Sequence, residues 1–155
     1  MTAILVTGMS GVGKSTVLAE LAQHGLEAVD TDVGGWIELV DGEPLWREHL
    51  VDALLSRPRD RPLVVQGTVA NQGRFYDRFD AVVLLSAPAD VVFERLRTRT
   101  TNDFGKAAHE REKIALDIAE VEPLLRAGAT YEVDAAQPLD DVVGELLRIT
   151  AEALR

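Results

Sequence analysis

Short apolar runs alternate along the chain with longer stretches in which apolar residues recur every three or four positions. The short runs, several of them rich in β-branched residues, predict buried strands at residues 2–7, 26–30, 62–68, 80–87 and 129–133. The longer stretches predict helices at residues 14–24, 44–57, 88–99, 107–126 and 138–154. The two intervening segments without either period predict a polar turn at residues 71–79 and a loop at residues 100–110.

Apolar strands that are separated by helices are typical of a parallel sheet covered on both faces. The pattern therefore predicts an α/β fold, a three-layer α/β/α sandwich with a five-stranded parallel sheet. The sequence contains no repeat, linker or low-complexity tract, so we expect residues 1–155 to form one domain.

The charge and cysteine content of the chain narrow the range of partners. Sixteen Lys and Arg residues against 26 Asp and Glu residues give a net charge of −10, which repels nucleic-acid backbones, so no nucleic-acid partner is expected. The absence of cysteine excludes disulfides and thiolate metal sites. The sequence has no apolar run of membrane-spanning length and no signal-peptide pattern, which predicts a cytoplasmic protein without a membrane partner. We expect a monomer or a weak homodimer.

One motif carries specific chemistry, and it lies between the first predicted strand and the first predicted helix. It matches G-x-x-x-x-G-K-[ST] and comprises Gly8, Met9, Ser10, Gly11, Val12, Gly13, Lys14, Ser15 and Thr16. Its glycines allow backbone N–H groups to surround phosphates, and the helix dipole adds positive potential at the same place. Lys14 is expected to reach the β- and γ-phosphates of ATP, and the Ser15 hydroxyl to bind Mg²⁺, while Thr16 packs or caps.

Three further segments, each following a predicted strand, can be compared with known families together with this motif. VDTDVGGWIELVDG follows the second strand, FERLRTRTTNDFGK follows the fourth, and VDAAQPLDDVV follows the fifth. With a P-loop near the start of the chain, this layout resembles the P-loop small-molecule kinases: the nucleoside monophosphate kinases, shikimate kinase and dephospho-coenzyme A kinase. The resemblance implies an ATP-dependent phosphotransferase that requires Mg²⁺ and acts on a small-molecule phosphate acceptor.

The resemblance also implies roles for single residues on the nucleotide side. Asp30 would orient Mg²⁺ together with Ser15, and Asp32 would contact the acceptor hydroxyl as a base. Arg95 and Arg99 would neutralise charge on the transferred phosphoryl group beside a mobile lid at about residues 100–108. The segment expected to edge the adenine ring consists of Ala136, Gln137 and Pro138.

The acceptor side is assigned by the same resemblance. Arg47 resembles the arginine with which shikimate kinase holds the carboxylate of its acceptor. Arg74 follows the third strand, where the acceptor site is expected, and Gly67 falls where shikimate kinase has a run of three glycines. Trp36 and Tyr76 are candidates for the pocket wall, whereas Trp46 is expected in the core.

Three departures from the family pattern keep the acceptor open. After the third strand the chain has only Gly67 and Gly73, where shikimate kinase has a run of three glycines. The third strand ends in Gln66 rather than in an acidic residue, so Mg²⁺ would depend on Ser15 and the Asp30–Asp32 pair. The segment that follows Asp32 is also shorter than in shikimate kinase. The leading hypothesis is transfer of phosphate from ATP to a hydroxyl of a small molecule. A nucleoside or nucleotide kinase, and a P-loop ATPase or nucleotide-binding switch, remain alternatives.

Overall fold

A computed structural model describes residues 2–98 and 107–153 of the chain. Its helices are α1 (Lys14–Gln23), α2 (Glu48–Ser56), α3 (Ala89–Thr98), α4 (Ala108–Glu120), α5 (Glu122–Gly128) and α6 (Leu139–Ala153), with a 3-10 helix at Gln72–Arg78. Its strands are β1 (Ala3–Thr7), β2 (Glu27–Asp30), β3 (Ile37–Val40), β4 (Glu43–Trp46), β5 (Leu63–Gln66), β6 (Ala81–Ser86) and β7 (Tyr131–Asp134). No described helix has the length and apolar character needed to cross a membrane.

Five strands form a parallel sheet in the order β2-β5-β1-β6-β7. Strand β1 is central, and all five of its residues are buried, as its uninterrupted apolar run predicts. Alternate residues of β1 enter opposite cores: Ile4 and Val6 pack with α1, α3 and α6, and Ala3 and Leu5 pack with α2 and the 3-10 helix. The predicted three-layer sandwich is confirmed.

The predicted helix at residues 44–57 is wrong in its first third. Residues Glu43–Trp46 form β4, which pairs antiparallel with β3, and α2 begins only at Glu48. Asp41 and Gly42 make the two-residue connection with φ values of 53° and 78°, the positive pair that a tight hairpin turn needs. An Asp-Gly pair between two apolar segments is a hairpin signal in the sequence, and it outweighs the helical period at Leu45.

The predicted single helix at residues 107–126 is also wrong, because it is two helices. Helix α4 ends at Glu120, and α5 begins at Glu122 with Pro123 in its first turn. Proline has no N–H to continue the hydrogen bonds of the preceding turn, so the chain restarts as a new helix. The predicted lid lies outside the described residues except for its end, where Ala108 is the first residue of α4.

Candidate active site

The loop at residues 8–13 joins the central strand β1 to α1 at the carboxyl edge of the sheet. Gly11 and Gly13 have φ values of 88° and 99°, in the left-handed region that favours glycine. A Cβ atom on Gly11 would also lie 2.9 Å from Val92 Cγ1 of α3. The backbone of this loop therefore requires glycine at both positions.

The first turn of α1 is open to a ligand. Its N-cap is Gly13, no side chain of the described residues caps it, and it contains no acidic residue. Uncapped backbone N–H groups at the positive end of the helix dipole are satisfied well by an anion. This helix end therefore fits a phosphate group.

Lys14 extends from the start of α1 back across the loop. Its Nζ donates to the carbonyl oxygens of Gly8 and Met9, the latter at 3.3 Å. Loss of hydration lowers the pKa of the Lys14 ammonium from 10.5 to about 8, although the carboxylates of Asp32 and Asp30 act in the opposite direction. The two carbonyl oxygens thus hold the ammonium in place, but nearby negative charge does not fully compensate for its lost hydration. A bound phosphate would provide that compensating charge.

A hydrogen-bonded group of four side chains lies beside Lys14, at the ends of β2 and β5. Ser15 Oγ donates to Asp30 Oδ2 at 3.2 Å. Gln66 Nε2 donates to Asp30 Oδ1 at 2.5 Å and to Asp32 Oδ2 at 3.0 Å. Because Gln66 is fully buried, its amide fixes the spacing of the two carboxylates. Its Oε1 is buried without a hydrogen-bond partner among the described residues.

These oxygens suit one hard cation. The Ser15 hydroxyl and the Asp30 carboxylate are already within 3.2 Å of each other, and Mg²⁺ prefers such ligands. The described residues contain no group of three or more His, Cys, Asp or Glu side chains arranged for a metal. A magnesium ion would therefore take its remaining ligands from water and nucleotide phosphates, as is usual for this ion.

Thr31, between the two aspartates, anchors the whole segment to the core. Its hydroxyl donates to the Gln66 carbonyl at 2.8 Å and accepts from Trp46 Nε1 at 3.0 Å. Trp46 is only 1% exposed, which confirms it as a core residue. The acidic segment is therefore tied to β5 by both the backbone and the side chain of Gln66.

This packing makes Gly67 a position of large expected effect on stability. A Cβ atom there would lie 2.4 Å from Thr31 Oγ1 and 3.1 Å from the Trp46 ring. We expect Gly67→Ala to lower the free energy of unfolding by about 1–3 kcal/mol through overpacking. Gly144→Ala is the matched control, because a Cβ atom at Gly144 meets nothing within 4 Å and alanine favours the α6 interior. Urea titration of both variants tests this, and equal midpoints would contradict the tight packing.

A cavity of about 650 Å³ opens over the glycine-rich loop. Arg95 borders it and donates to the carbonyl oxygens of Val12 at 3.0 Å and Ala135 at 2.5 Å, which joins the loop to the segment after β7. Gln137 also borders this cavity, whereas Ala136 and Pro138 stand beside it in the same segment without lining it. Arg99 lies outside the described residues.

A second cavity of about 630 Å³ adjoins the first. Both are lined by Met9, Ser10, Lys14 and Asp32, so the two cavities meet at these residues. The second cavity extends between the β3–β4 hairpin, the 3-10 helix and helices α4 and α5. A ligand in each cavity would place its reacting end beside Lys14 and Asp32.

Asp32 lines this second cavity, whereas the other three predicted acceptor residues lie outside it. Arg47 donates to the Gly35 carbonyl and pairs with Glu38 at 3.2 Å, and Arg74 pairs with Glu48 at 3.5 Å. Gly67 is enclosed by the packing around Thr31 and Trp46. None of the three lines either cavity, because each is engaged by nearer neighbours in the fold.

Several side chains in the site were missed by sequence reasoning. Gln66 stands where the sequence pattern has an acidic residue, yet it bridges both aspartates. Lys113 and Asp117 of α4 line the second cavity. Their spacing of four residues is visible in the sequence as a helical ion pair, but the sequence does not show that this pair faces the cavity. Gln72 also lines it and donates to Tyr76 Oη at 2.9 Å, and Tyr76 lies in the same wall.

Comparison with known proteins agrees with this geometry. The family model described as an AAA domain matches residues 4–116. The chain is 28% identical to shikimate kinase 2 of Yersinia enterocolitica serotype O:8 / biotype 1B, over 96% of this chain and 95% of that protein. It is 31% identical to shikimate kinase 2 of Sodalis glossinidius, over 94% of this chain and 93% of that protein. The chain belongs to the P-loop small-molecule kinases.

Solved structures show the fold of this kinase in other proteins. Shikimate kinase from Acinetobacter baumannii, in complex with shikimate, superimposes with a TM-score of 0.71 at 22% identity, over 98% of this chain and 94% of that one. A gluconokinase from Sinorhizobium meliloti 1021 superimposes with a TM-score of 0.63 at 24% identity, over 97% and 92% of the two chains. These superpositions confirm the predicted fold. The predicted enzyme class, an ATP-dependent small-molecule kinase, is confirmed by the shikimate kinase relatives.

Proposed function

We propose that this kinase transfers the γ-phosphoryl group of ATP, in the presence of Mg²⁺, to a hydroxyl group of a small molecule. The observation that carries the proposal is the junction of two cavities at Lys14 and Asp32. One cavity contains the phosphate-binding loop, and the other has room for an acceptor. The names of the relatives support a hydroxylated acceptor, since shikimate kinases and a gluconokinase are among them.

In this proposal the chain acts mainly by position and charge. An acceptor hydroxyl oxygen bonds to the γ-phosphorus, the bond from that phosphorus to the β–γ bridging oxygen breaks, and ADP leaves. Asp32 orients the hydroxyl and takes its proton. Lys14 stabilises the charge on the phosphoryl oxygens. Ser15 and Asp30 would hold Mg²⁺, which would neutralise part of the phosphate charge.

The adenosine end of ATP is assigned to the segment after β7. Gln137 borders the first cavity there, with Ala136 and Pro138 on either side of it. Arg95 fixes this segment relative to the loop, which makes a positioning role its main contribution to ATP binding. The assignment of Arg99 to the transferred phosphoryl group stays a prediction, as do the cytoplasmic location, the monomeric or weakly dimeric state and the absence of nucleic-acid and membrane partners.

The proposal is tested by measuring ADP release with and without candidate acceptors. We expect slow release with Mg-ATP alone and an increase of at least tenfold with a hydroxylated acceptor, together with a phosphorylated product in the mass spectrum. Nucleosides and nucleoside monophosphates in the same panel test a nucleotide kinase. Release that is fast without any acceptor, and unchanged by all of them, would instead identify an ATPase.

Lys14 gives ATP binding a specific pH dependence. With a pKa of about 8, this ammonium is about half deprotonated at pH 8 in the free protein. The ATP phosphates raise its pKa, so binding takes up protons at pH 8–9 and ATP affinity falls as pH rises through this window. Calorimetric titration in two buffers of different ionisation enthalpy measures the uptake. Adenosine, which brings no phosphate charge, is the control ligand, and equal uptake for both would contradict the role of Lys14.

A further inference from the structure

Away from Lys14 and Asp32, the wall of the second cavity has an apolar side and a charged side. Its apolar side comes from the 3-10 helix, the α4–α5 junction and α5, and consists of Tyr76, Val121, Leu124 and Leu125. The charged side chains of this wall are Glu43 of the hairpin and Lys113 and Asp117 of α4. An acceptor that fits this wall therefore needs an apolar face as well as hydroxyl groups.

Negative charge predominates among the described residues of this cavity. Its carboxylates are Asp32, Glu43 and Asp117, and its cations are Lys14 and Lys113. Lys14 donates to the loop carbonyls and, in the proposed function, is taken up by the ATP phosphates. Lys113 Nζ donates to Asp117 Oδ2 at 2.9 Å. Both ammonium groups among the described residues of this cavity thus already have partners, whereas the Glu43 carboxylate has no hydrogen bond or ion pair with another described residue.

The two arginines expected to hold an acid group are also engaged elsewhere. Arg47 is turned to Glu38 within the hairpin, and Arg74 is turned to Glu48 on α2. Neither lines the second cavity. A carboxylate that enters the cavity would lose water and meet Asp32 and Glu43, with no described guanidinium to receive it. Removing an ion from water without a partner is costly, and like charges add to that cost.

We propose that the phosphate acceptor of this kinase is a hydroxylated compound that carries no carboxylate or phosphate group. This inference rests on the proposed kinase function and goes beyond it, since it names the acceptor class. It sets this chain apart from the acids in the names of its relatives, shikimate and gluconate. The acceptor hydroxyl binds at Asp32, and the apolar side of the cavity receives the carbon skeleton.

Matched pairs of acceptors test the inference, because the members of each pair differ mainly in charge. Shikimate is compared with its methyl ester, and gluconate with glucitol, by kcat/KM for ADP release. We expect the uncharged member to exceed its acid by at least tenfold. Comparable or better turnover of the acid in either pair overturns the inference but leaves the kinase function intact.

The two proposals fail in different ways. If none of these compounds increases ADP release, the same pairs are titrated into the protein loaded with a non-hydrolysable ATP analogue. Tighter binding of the uncharged member then supports the acceptor class while the kinase function fails. Equal or tighter binding of the acids, or no binding by any of the four compounds, overturns the acceptor class.

A single substitution is expected to change the selectivity. Asp117→Asn removes the carboxylate that pairs with Lys113 and leaves an ammonium free to receive an acid group. The ratio of acid to uncharged acceptor, in kcat/KM or in affinity, should rise about threefold, the size of an exposed ion pair. Glu152→Gln is the matched control, because it releases Arg148 from a pair of the same spacing and 2.9 Å length on α6. An unchanged ratio in Asp117→Asn overturns the inference.

Discussion

Lys14→Ala is expected to lower ATP-dependent phosphoryl transfer by about a hundredfold or more. Lys14 provides the ammonium that the glycine-rich loop holds at the junction of the two cavities, and transfer depends on stabilising the γ-phosphoryl charge. Lys14→Arg should fail as well, because a planar guanidinium does not fit where a compact ammonium bonds to two loop carbonyls. The measurement is kcat/KM for ADP release with a saturating acceptor.

Melting temperatures show whether a Lys14 variant loses activity because it is unfolded or because the ammonium is missing. Because loss of hydration lowers the pKa of Lys14, the charge is a cost to the nucleotide-free protein. Lys14→Met keeps most of the apolar stem without that charge, so its melting temperature should equal or exceed that of the unchanged protein. Arg148→Ala removes an exposed cation of α6 and serves as the activity control. Full activity in purified Lys14→Met would refute the assigned role of the loop.

Asp32→Asn is expected to lower phosphoryl transfer by about a hundredfold or more while ATP affinity changes by less than about threefold. The asparagine oxygen can still accept the bond from Gln66 Nε2, now 3.0 Å from Asp32 Oδ2, so the segment should keep its position. An amide cannot take the acceptor proton, which removes the main contribution of a general base. Acceptor phosphorylation and nucleotide titration, measured on the same preparation, test both halves of this expectation.

Asp30→Asn is the informative companion to that variant. Asp30 accepts a hydrogen bond from Ser15 Oγ, and our proposal assigns both side chains to Mg²⁺. Its substitution should therefore weaken the Mg²⁺ dependence of both nucleotide binding and turnover. In a nucleotide switch without an acceptor, both variants would act through Mg²⁺ and look alike. If Asp32→Asn loses nucleotide binding as severely as Lys14→Ala, the assignment of Asp32 to the acceptor is wrong.

Features that depend on short stretches of chain could be predicted from the sequence. The apolar run of β1 predicted a buried central strand, and the glycines of the loop predicted the left-handed backbone at Gly11 and Gly13. The two errors in element prediction also have local causes. Asp41-Gly42 and Pro123 were visible as turn and helix-start signals, and each outweighed the helical period around it.

The arrangement of the site needed the tertiary structure, because its contacts join residues that are distant in sequence. Gln66 bridges Asp30 and Asp32 only because β2 and β5 are neighbours in the sheet. Arg47 and Arg74 have the residue type expected of an acceptor site, but the fold offers each a nearer carboxylate. The identity of a residue does not predict which oppositely charged side chain lies nearest to it in the folded protein.

The sequence by itself determined the phosphate-binding loop, the parallel sheet and the kinase family of this protein. These follow from hydrophobic period, backbone requirements of glycine and a motif of nine adjacent residues, all of which are local properties. Only the tertiary structure decided that two cavities meet at Lys14 and Asp32, and that Lys113 is paired within the second of them. Cavities and charge pairs depend on distances between elements, which the packing of the helices on the sheet sets.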